Sequence, residues 1–141
     1  MDIIEGLQNK KVTEAYKLQL LLEKESAESN KYYSYFDEFI KLMNSKSSFV
    51  RVRGFRLICS QAQWDKENKI ESNINVILKM LDDEKPIAVR QSLAALHTLI
   101  LYKPDLCSVI ESKLGTLNLA RYKDSMKPLI EKDIAELRDA M

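Results

Sequence analysis

The stretch from Val76 to Lys103, VILKMLDDEKPIAVRQSLAALHTLILYK, decides the fold. Its pattern predicts the end of one amphipathic helix, a short acidic turn and the whole of a second amphipathic helix. Pro86 stands in the first turn of that second helix, where proline is best tolerated because the early backbone N–H groups need no partner. After Pro86, apolar residues recur at the spacing of one buried helix face, at Val89, Leu93, Leu96 and Ile100. The stretch therefore predicts a helical hairpin.

An earlier and weaker copy of this hairpin lies between Phe36 and Trp64. In the first helix of each copy the apolar residues match at an offset of 38, with Phe36, Phe39, Ile40 and Met43 against Ile74, Ile77, Leu78 and Leu81. In the second helix the offset is 39, with Val50-Arg51, Gly54 and Leu57 against Val89-Arg90, Leu93 and Leu96. A repeat of about forty residues built from two helices is typical of stacked helical repeats, because one hairpin cannot bury both of its faces alone.

The segment LDDEKPIAVRQSLAALHTL resembles a HEAT motif, with an acidic turn followed by Val89-Arg90 and then by small and leucine residues. In HEAT repeats the turn acid and the arginine commonly pair, so the resemblance implies that Asp83 and Arg90 form a structural pair. The chain from about Tyr32 to Leu137 is also similar to short bacterial HEAT-like proteins with no assigned activity, through SFVRVRGFRLI, WDKENKI and YKDSMKPLIEKDI. The resemblance implies an all-α fold, a right-handed α-α superhelix of the HEAT or armadillo kind.

We expect a single domain over residues 1–141, built from about six to seven helices. A helical N-terminal cap covers about residues 1–30, the repeats cover about 31–103, and capping helices cover about 104–141. In the helix predicted over 12–27 the apolar side comprises Val12, Ala15, Tyr16, Leu18, Leu21 and Leu22. So few repeats leave open ends that a second copy could cover, but the last helix favours a self-made cap and a monomer through its polar residues Glu131, Lys132, Asp133, Glu136 and Arg138.

The charge balance and the cysteines narrow the class of protein. Lys and Arg number 22 and Asp and Glu number 21, so the net charge is +1. This balance counts against a dedicated nucleic-acid binder, because phosphate neutralisation supplies much of the affinity in that class.

Cys59 and Cys107 lie far apart without a CxxC motif, which is typical of reduced thiols in a cytoplasmic protein. The sequence contains no apolar run long enough to span a membrane, and no signal peptide is predicted.

A local basic patch lies in the first copy of the repeat. On a helical wheel Arg53 and Arg56 share a polar strip with Ser60 and Gln63, and Lys46 and Arg51 lie close by. No acid occurs from Lys46 to Gln63, so the patch could hold a phosphate, a carboxylate or an acidic peptide. The alternative is a solvated face with intramolecular ion pairs. The matching strip of the second copy is uncharged, whereas a surface that follows nucleic acid should repeat its cations.

Two further residues of this region have two interpretations each. Trp64 is either an aromatic anchor for a partner, since tryptophan is common at binding hot spots, or a cover over the end of the core. Gly54 stands in mid-helix, where it costs about 1 kcal/mol relative to alanine. It indicates either close helix packing or room for the backbone of a partner.

The sequence offers no catalytic constellation. His97 is the only histidine, the cysteines form no metal-binding cluster, and none of the common nucleophile, metalloprotease, P-loop or dinucleotide motifs occurs. Alkylpurine DNA glycosylases contain HEAT-like repeats, but those chains are longer and more basic. We therefore expect no enzyme and no cofactor. The sequence predicts a protein-interaction or scaffold module for an unknown protein or peptide, and the alternative is phosphate or nucleic-acid binding through Lys46, Arg51, Arg53 and Arg56, with Trp64 on the same surface.

Overall fold

The computed structural model describes residues 2–141, and the regular structure in this range is entirely helical, as the sequence predicts. The α-helices are α1 (Ile3–Leu7), α2 (Val12–Ser26), α3 (Phe36–Leu42), α4 (Ser48–Ser60), α5 (Lys69–Ser72), α6 (Ile74–Ile77), α7 (Pro86–Tyr102), α8 (Cys107–Leu114) and α9 (Lys127–Ala140). Short 3₁₀ turns extend or join them at Tyr33–Tyr35, Ala62–Trp64, Leu78–Asp82, Pro104–Leu106 and Leu119–Arg121. Within residues 2–141, no helix combines the length and the apolar character that crossing a bilayer requires.

The helix count was predicted too low, because the described chain has nine α-helices instead of about six to seven. The main difference is the first helix of the second repeat copy, predicted as one helix and found as α5, α6 and the 3₁₀ turn Leu78–Asp82. Asn73 interrupts it with φ −114° and ψ 12°, outside helical values, and its side-chain amide donates to the Lys69 carbonyl at 2.8 Å. Asparagine side chains compete in this way with the backbone bonds of a helix.

The helices pack in two rows. In the first row α2 contacts α4, α4 contacts α7, and α7 contacts α9. On the other side α3 packs on α4, and the 3₁₀ turn Leu78–Asp82 packs on both α7 and α8. The two copies of the sequence repeat thus occupy neighbouring places, with α3 and α4 next to α5, α6 and α7.

One hydrophobic cluster of the described residues, from Leu7 to Leu137, includes a side chain from each α-helix. The apolar rows predicted for α4 and α7 are confirmed, since Val50, Leu57, Val89, Leu93, Leu96 and Ile100 are all buried. The row predicted for α2 is only partly right. Ala15 and Leu22 are buried, but Val12, Tyr16 and Leu21 are exposed because α2 lies at the end of its row and packs on α4 through one narrow side.

Gly54 is where α3 approaches α4 most closely. A Cβ atom at this position would lie 2.6 Å from the Phe39 carbonyl oxygen and 2.9 Å from Leu42 Cβ. Neither atom is the end of a flexible side chain, so a methyl group would force the two helices apart. Gly54 therefore serves close helix packing, the first of its two predicted interpretations.

Asp65 ties together three parts of the chain between α4 and α5. Its side chain is buried and accepts hydrogen bonds from the Tyr33 hydroxyl (2.6 Å) and from the backbone N–H groups of Lys69 (2.9 Å) and Ile70 (2.8 Å). The Lys103 ammonium, at the end of α7, lies 3.3 Å from the carboxylate and donates to the Asp65 carbonyl at 2.9 Å. One carboxylate thus joins both repeat copies.

The surroundings of Asp65 favour its charged form. Burial alone would raise the pKa of the carboxyl, but the hydrogen bond from Tyr33, the two backbone N–H groups and the nearby Lys103 together lower it below its ordinary value. Because the pKa is lower in the folded protein than in the unfolded chain, the carboxylate stabilises the fold above the unfolded pKa. This contribution is lost as the pH falls through the folded pKa.

We expect Gly54→Ala to lower the free energy of unfolding by about 1–3 kcal/mol, although alanine is the better helix former, because the added methyl overpacks the α3–α4 contact. Urea unfolding followed by circular dichroism measures the change. Gly115→Ala is the matched control, since a Cβ there meets its nearest atoms at 3.6 and 3.8 Å and should change the stability little. Equal effects of the two substitutions would contradict the close-packing role of Gly54.

Asp65→Asn should lower the free energy of unfolding by about 1–3 kcal/mol at neutral pH. The wild-type carboxylate accepts hydrogen bonds through two oxygens, whereas the asparagine amide has only one acceptor oxygen for the same donors. The difference from the wild type should shrink as the pH falls below about 4, where Asp65 of the unfolded chain takes up a proton, and should be lost below the lowered pKa of the folded carboxyl. Urea unfolding at neutral and acidic pH tests both statements. Asp37→Asn is the control, with a side chain that is 73% exposed and makes a single ion pair at 3.6 Å. A pH-independent difference would rule out the charged network.

Candidate functional site

Arg51, a member of the predicted basic patch, is engaged within the protein. Its Nε and Nη2 donate to the two Asp83 carboxylate oxygens at 2.8 and 3.1 Å, and its Nη1 donates to the backbone carbonyls of Ser45 and Lys46 at 3.0 Å each. The hydrogen bonds to Asp83 raise the pKa of Arg51. A guanidinium with these partners holds the turn before α4 against the turn before α7.

The predicted pairing of Asp83 with Arg90 is wrong, because each residue has a different partner. Asp83 binds Arg51 of the first repeat copy, and Arg90 donates from Nε to Asp133 of α9 at 2.7 Å. Asp83 also accepts a hydrogen bond from the Lys85 backbone N–H at 2.9 Å, so its carboxylate faces the loop before α7 and not Arg90 within α7. The two ion pairs link different parts of the chain, Arg51 to the turn before α7 and Arg90 to α9.

Arg56 bridges the first row of helices. Its Nε and Nη2 donate to the Glu23 carboxylate of α2 at 3.0 and 2.9 Å, and its Nη1 donates to the Gln91 side-chain oxygen of α7 at 3.2 Å. The bidentate pair leaves this arginine little capacity for an external anion. For Arg51 and Arg56, the structure therefore has the intramolecular ion pairs that were the alternative to a binding patch.

Arg53 differs from its neighbours because it is buried without an acid. The residue is only 3% exposed, and its Nη1 donates to the Leu7 carbonyl of α1 at 2.8 Å. The guanidinium carbon lies 5.9 Å from the centre of the Phe49 ring. Burial lowers the pKa of Arg53, yet an arginine stays protonated at neutral pH. No carboxylate among residues 2–141 makes a hydrogen bond or ion pair with it.

Trp64 covers the end of α2. Its indole Nε1 donates to the Ser26 carbonyl at 2.7 Å, and the neighbouring Gln61 amide donates to the Ser26 hydroxyl at 3.0 Å. The indole is thus engaged within the chain at the end of α2, and Trp64 is not among the side chains of the hydrophobic cluster or those packed against it. Lys46 is exposed. The five predicted surface residues do not form one site, since Arg51, Arg53 and Arg56 border different cavities and Trp64 borders none of these.

An apolar groove lies between α2, α4 and the start of α7. We define it by four large side chains that are each 43% to 55% exposed, namely Val12 and Tyr16 of α2, Phe49 of α4 and Ile87 of α7. The groove encloses about 490 Å³. Its described lining carries two positive charges, Arg53 on the floor and Lys85 on the rim, and no acid. Convergent exposed apolar side chains of this kind are typical of binding surfaces.

The groove continues along α4 as a polar cavity of about 300 Å³. Gln91 borders both spaces, and the polar part is lined by the Arg56–Glu23 pair together with Ser60 and Thr98. From Phe49 to Ser60 the helix rises by roughly 16 Å, at about 1.5 Å per residue. The two spaces therefore follow one another along α4, apolar at one end and polar at the other.

The sequence predictions missed the residues that define this groove. Val12 and Tyr16 were assigned to the buried side of α2, and Phe49 and Ile87 lie outside the buried rows of α4 and α7. A signal for them does exist in the sequence. Phe49 and Ile87 are large apolar residues in the first turns of amphipathic helices but off the face that carries Val50, Leu57 and Val89, so burial in the core does not explain them.

The described residues contain no group of three His, Cys, Asp or Glu side chains placed to hold a metal ion. His97 is exposed on α7, beside Asp133 and Glu136 of α9. Cys59 is buried, and burial raises the pKa of its thiol. A raised thiol pKa disfavours the nucleophilic thiolate.

Comparison of the chain with protein-family models, with curated proteins and with solved structures finds no match. What the protein does must therefore be argued from the groove and from the charges around it.

Proposed function

We propose that the protein is a non-enzymatic interaction module that binds a peptide segment of another protein in the apolar groove. The observation that carries this proposal is the convergence of Val12, Tyr16, Phe49 and Ile87, which expose large apolar surfaces around one concavity although they belong to three helices. Isolated exposed apolar residues are ordinary, but a ring of them around a groove is typical of an interaction site. The floor beneath them is rigid, because Val52 and Ala88 are buried core residues.

We further propose that the stacked hairpins form a HEAT- or armadillo-like right-handed superhelix that works as a monomer in the cytoplasm. The repeat of 38 to 39 residues and the order of contacts along α2, α4, α7 and α9 support this architecture. The groove is formed by three helices of that same row. The row of α2, α4 and α7 would thus be the ligand-facing side of the protein. Helix α9 would end this row and is held to α7 by the ion pair between Asp133 and Arg90.

Phosphate or nucleic-acid binding, the alternative class, has less support. Its predicted cations Arg51 and Arg56 are each bound to a carboxylate, Arg53 is buried, and only Lys46 is freely exposed. Affinity for a phosphate backbone needs several accessible cations on one surface.

Short random-sequence peptides displayed on phage should yield apolar-rich binders when selected on the purified protein. The double variant Phe49→Ala, Ile87→Ala should bind the selected peptides at least about tenfold more weakly, because it removes two exposed apolar walls of the groove. Fluorescence anisotropy with the labelled peptides measures the affinity. Both residues are about half exposed, so the double variant should keep the helical circular dichroism of the wild type.

Leu101→Ala is the matched control, since Leu101 is 70% exposed at the far end of α7 and does not line the groove. It should bind like the wild type. Selected peptides that bind the double variant as tightly as the wild type, or a selection that enriches no sequence, would contradict the proposed function.

A further inference from the structure

We infer that the segment bound in the apolar groove carries an Asp or Glu side chain, flanked by apolar residues, whose carboxylate binds Arg53. The inference rests on the proposed function and adds the chemistry of the partner. It assigns to Arg53 the role of selecting an acid within an otherwise apolar site.

The first argument is the state of the Arg53 guanidinium. A guanidinium has five N–H donors in a fixed fork that matches a carboxylate. In the described structure one hydrogen bond, from Nη1 to the Leu7 carbonyl, accounts for the polar contacts of this buried side chain. A buried charge without a counterion is unfavourable, whereas a bidentate carboxylate partner would compensate it.

The second argument is the contrast with the other arginines. Four of the five other arginines, namely Arg51, Arg56, Arg90 and Arg138, each bind a carboxylate of this chain. The fifth, Arg121, donates to the Asp82 carbonyl but is exposed to solvent, so its charge needs no counterion. Arg53 lies on the same helix as two of them and is more deeply buried than either, yet none of the described acids approaches it. Although the chain contains 21 acids, none of the described ones pairs with the arginine that lines the apolar groove.

The third argument is the charge around the groove. On the other side of Phe49 lies a smaller depression of about 250 Å³, which shares Val12, Phe49 and Arg53 with the groove. Lys85 borders the groove and Lys10 borders the depression, while neither described lining contains an acid. Both approaches to Arg53 therefore carry positive charge without a described acid, and the groove itself is apolar, which favours an anionic group attached to apolar neighbours.

Phe49 lies beside the access to Arg53. The Phe49 ring lies over the guanidinium, but its own side chain is 55% exposed and belongs to the first turn of α4. Rotamer changes of exposed side chains are fast and need no movement of a helix. Arg53 already lines the groove, and rotation of this ring would widen the approach to its unused donors. Val12, Tyr16 and Ile87 remain to receive the apolar neighbours of the acid.

A carboxylate fits this site better than a phosphoryl group. The fork of one guanidinium satisfies both oxygens of a carboxylate. A phosphoryl group brings about two charges and three acceptor oxygens, which are commonly met by an arginine cluster. Here the groove has one buried arginine, and Lys85 is the other cation of its described lining.

The test uses two pools of labelled synthetic peptides with a mixture of Leu, Ile, Val and Phe around one fixed position, which is Glu in one pool and Gln in the other. We expect the Glu pool to bind the wild-type protein at least about tenfold more tightly in fluorescence anisotropy. Arg53→Gln, which keeps a donor for the Leu7 carbonyl, should bind both pools alike. Lys132→Gln removes a positive charge far from the groove, on a side chain that is 73% exposed, and should keep the preference for Glu.

The outcomes separate this inference from the proposed function. Equal binding of both pools to the wild type overturns the role of Arg53 and leaves the groove as a peptide site, whereas binding of neither pool contradicts both proposals. Tighter binding of a phosphoserine pool than of the Glu pool overturns the assignment to a carboxylate. A wild-type dimer in light scattering that the Phe49→Ala substitution dissociates overturns it as well, because a second copy would then occupy the groove.

If Arg53→Gln fails to fold, the wild-type protein alone provides the answer. The ¹⁵N resonance of Arg53 Nε should shift when the Glu pool is added and stay in place when the Gln pool is added. The same response to both pools, or no response to either, overturns the inference.

Discussion

The packing of α4 against α7 is the contact on which the rest of the structure depends. Each helix presents an apolar row to the core, and each is the second helix of a repeat copy. Around this pair α3 and α2 pack on α4, and α9 packs on α7. The groove and its polar continuation both follow α4, with α2 and α7 as their walls. Any change that shifts α4 therefore shifts the core and the candidate binding surface together.

Arg51 and Arg90 differ from Arg53 in what they contribute to the structure. Arg51 and Arg90 connect successive hairpins through Asp83 and Asp133, with partly buried bidentate geometry that fixes the distance between neighbours. Arg53 contributes no such link and carries a desolvated charge held by one backbone carbonyl. A local arrangement that is unfavourable for stability and is not offset within the chain is commonly found at functional sites. For this reason the groove, and not the ion-paired surface, is the place where binding is expected.

Local patterns in the sequence predicted the parts of the structure that depend on neighbours along the chain. The buried rows of α4 and α7, the proline start of α7 and the packing role of Gly54 follow from helical periodicity and residue size. The contacts that were missed join distant residues. Arg51 meets Asp83 across 32 residues and Arg53 meets Leu7 across 46, and no periodicity specifies such partners.

The candidate site shows the same limit in another form. Arg53 and Arg56 share one strip of α4 on a helical wheel, yet α1 folds over the first and leaves the second against α2. Likewise the apolar side of α2 is wider than its neighbours α1 and α4 cover, and periodicity alone does not say which part of a wide face stays exposed. Patterning fixes the orientation of a helix, but the number of neighbours decides how much of its surface is buried.

The hydrogen bond between Arg53 and the Leu7 carbonyl also connects two events that take place in different parts of the chain. Helix α1 is five residues long and docks through Leu7, so its position depends in part on the orientation of the Arg53 guanidinium. A ligand that engages the remaining donors of the same guanidinium orders that side chain and so acts on α1 as well. The ligand affinity differs by some factor between the protein with α1 docked and the protein with α1 undocked. By thermodynamic linkage, ligand binding changes the docking equilibrium of α1 by the same factor. The docking of α1 and the binding of a ligand to Arg53 are therefore coupled.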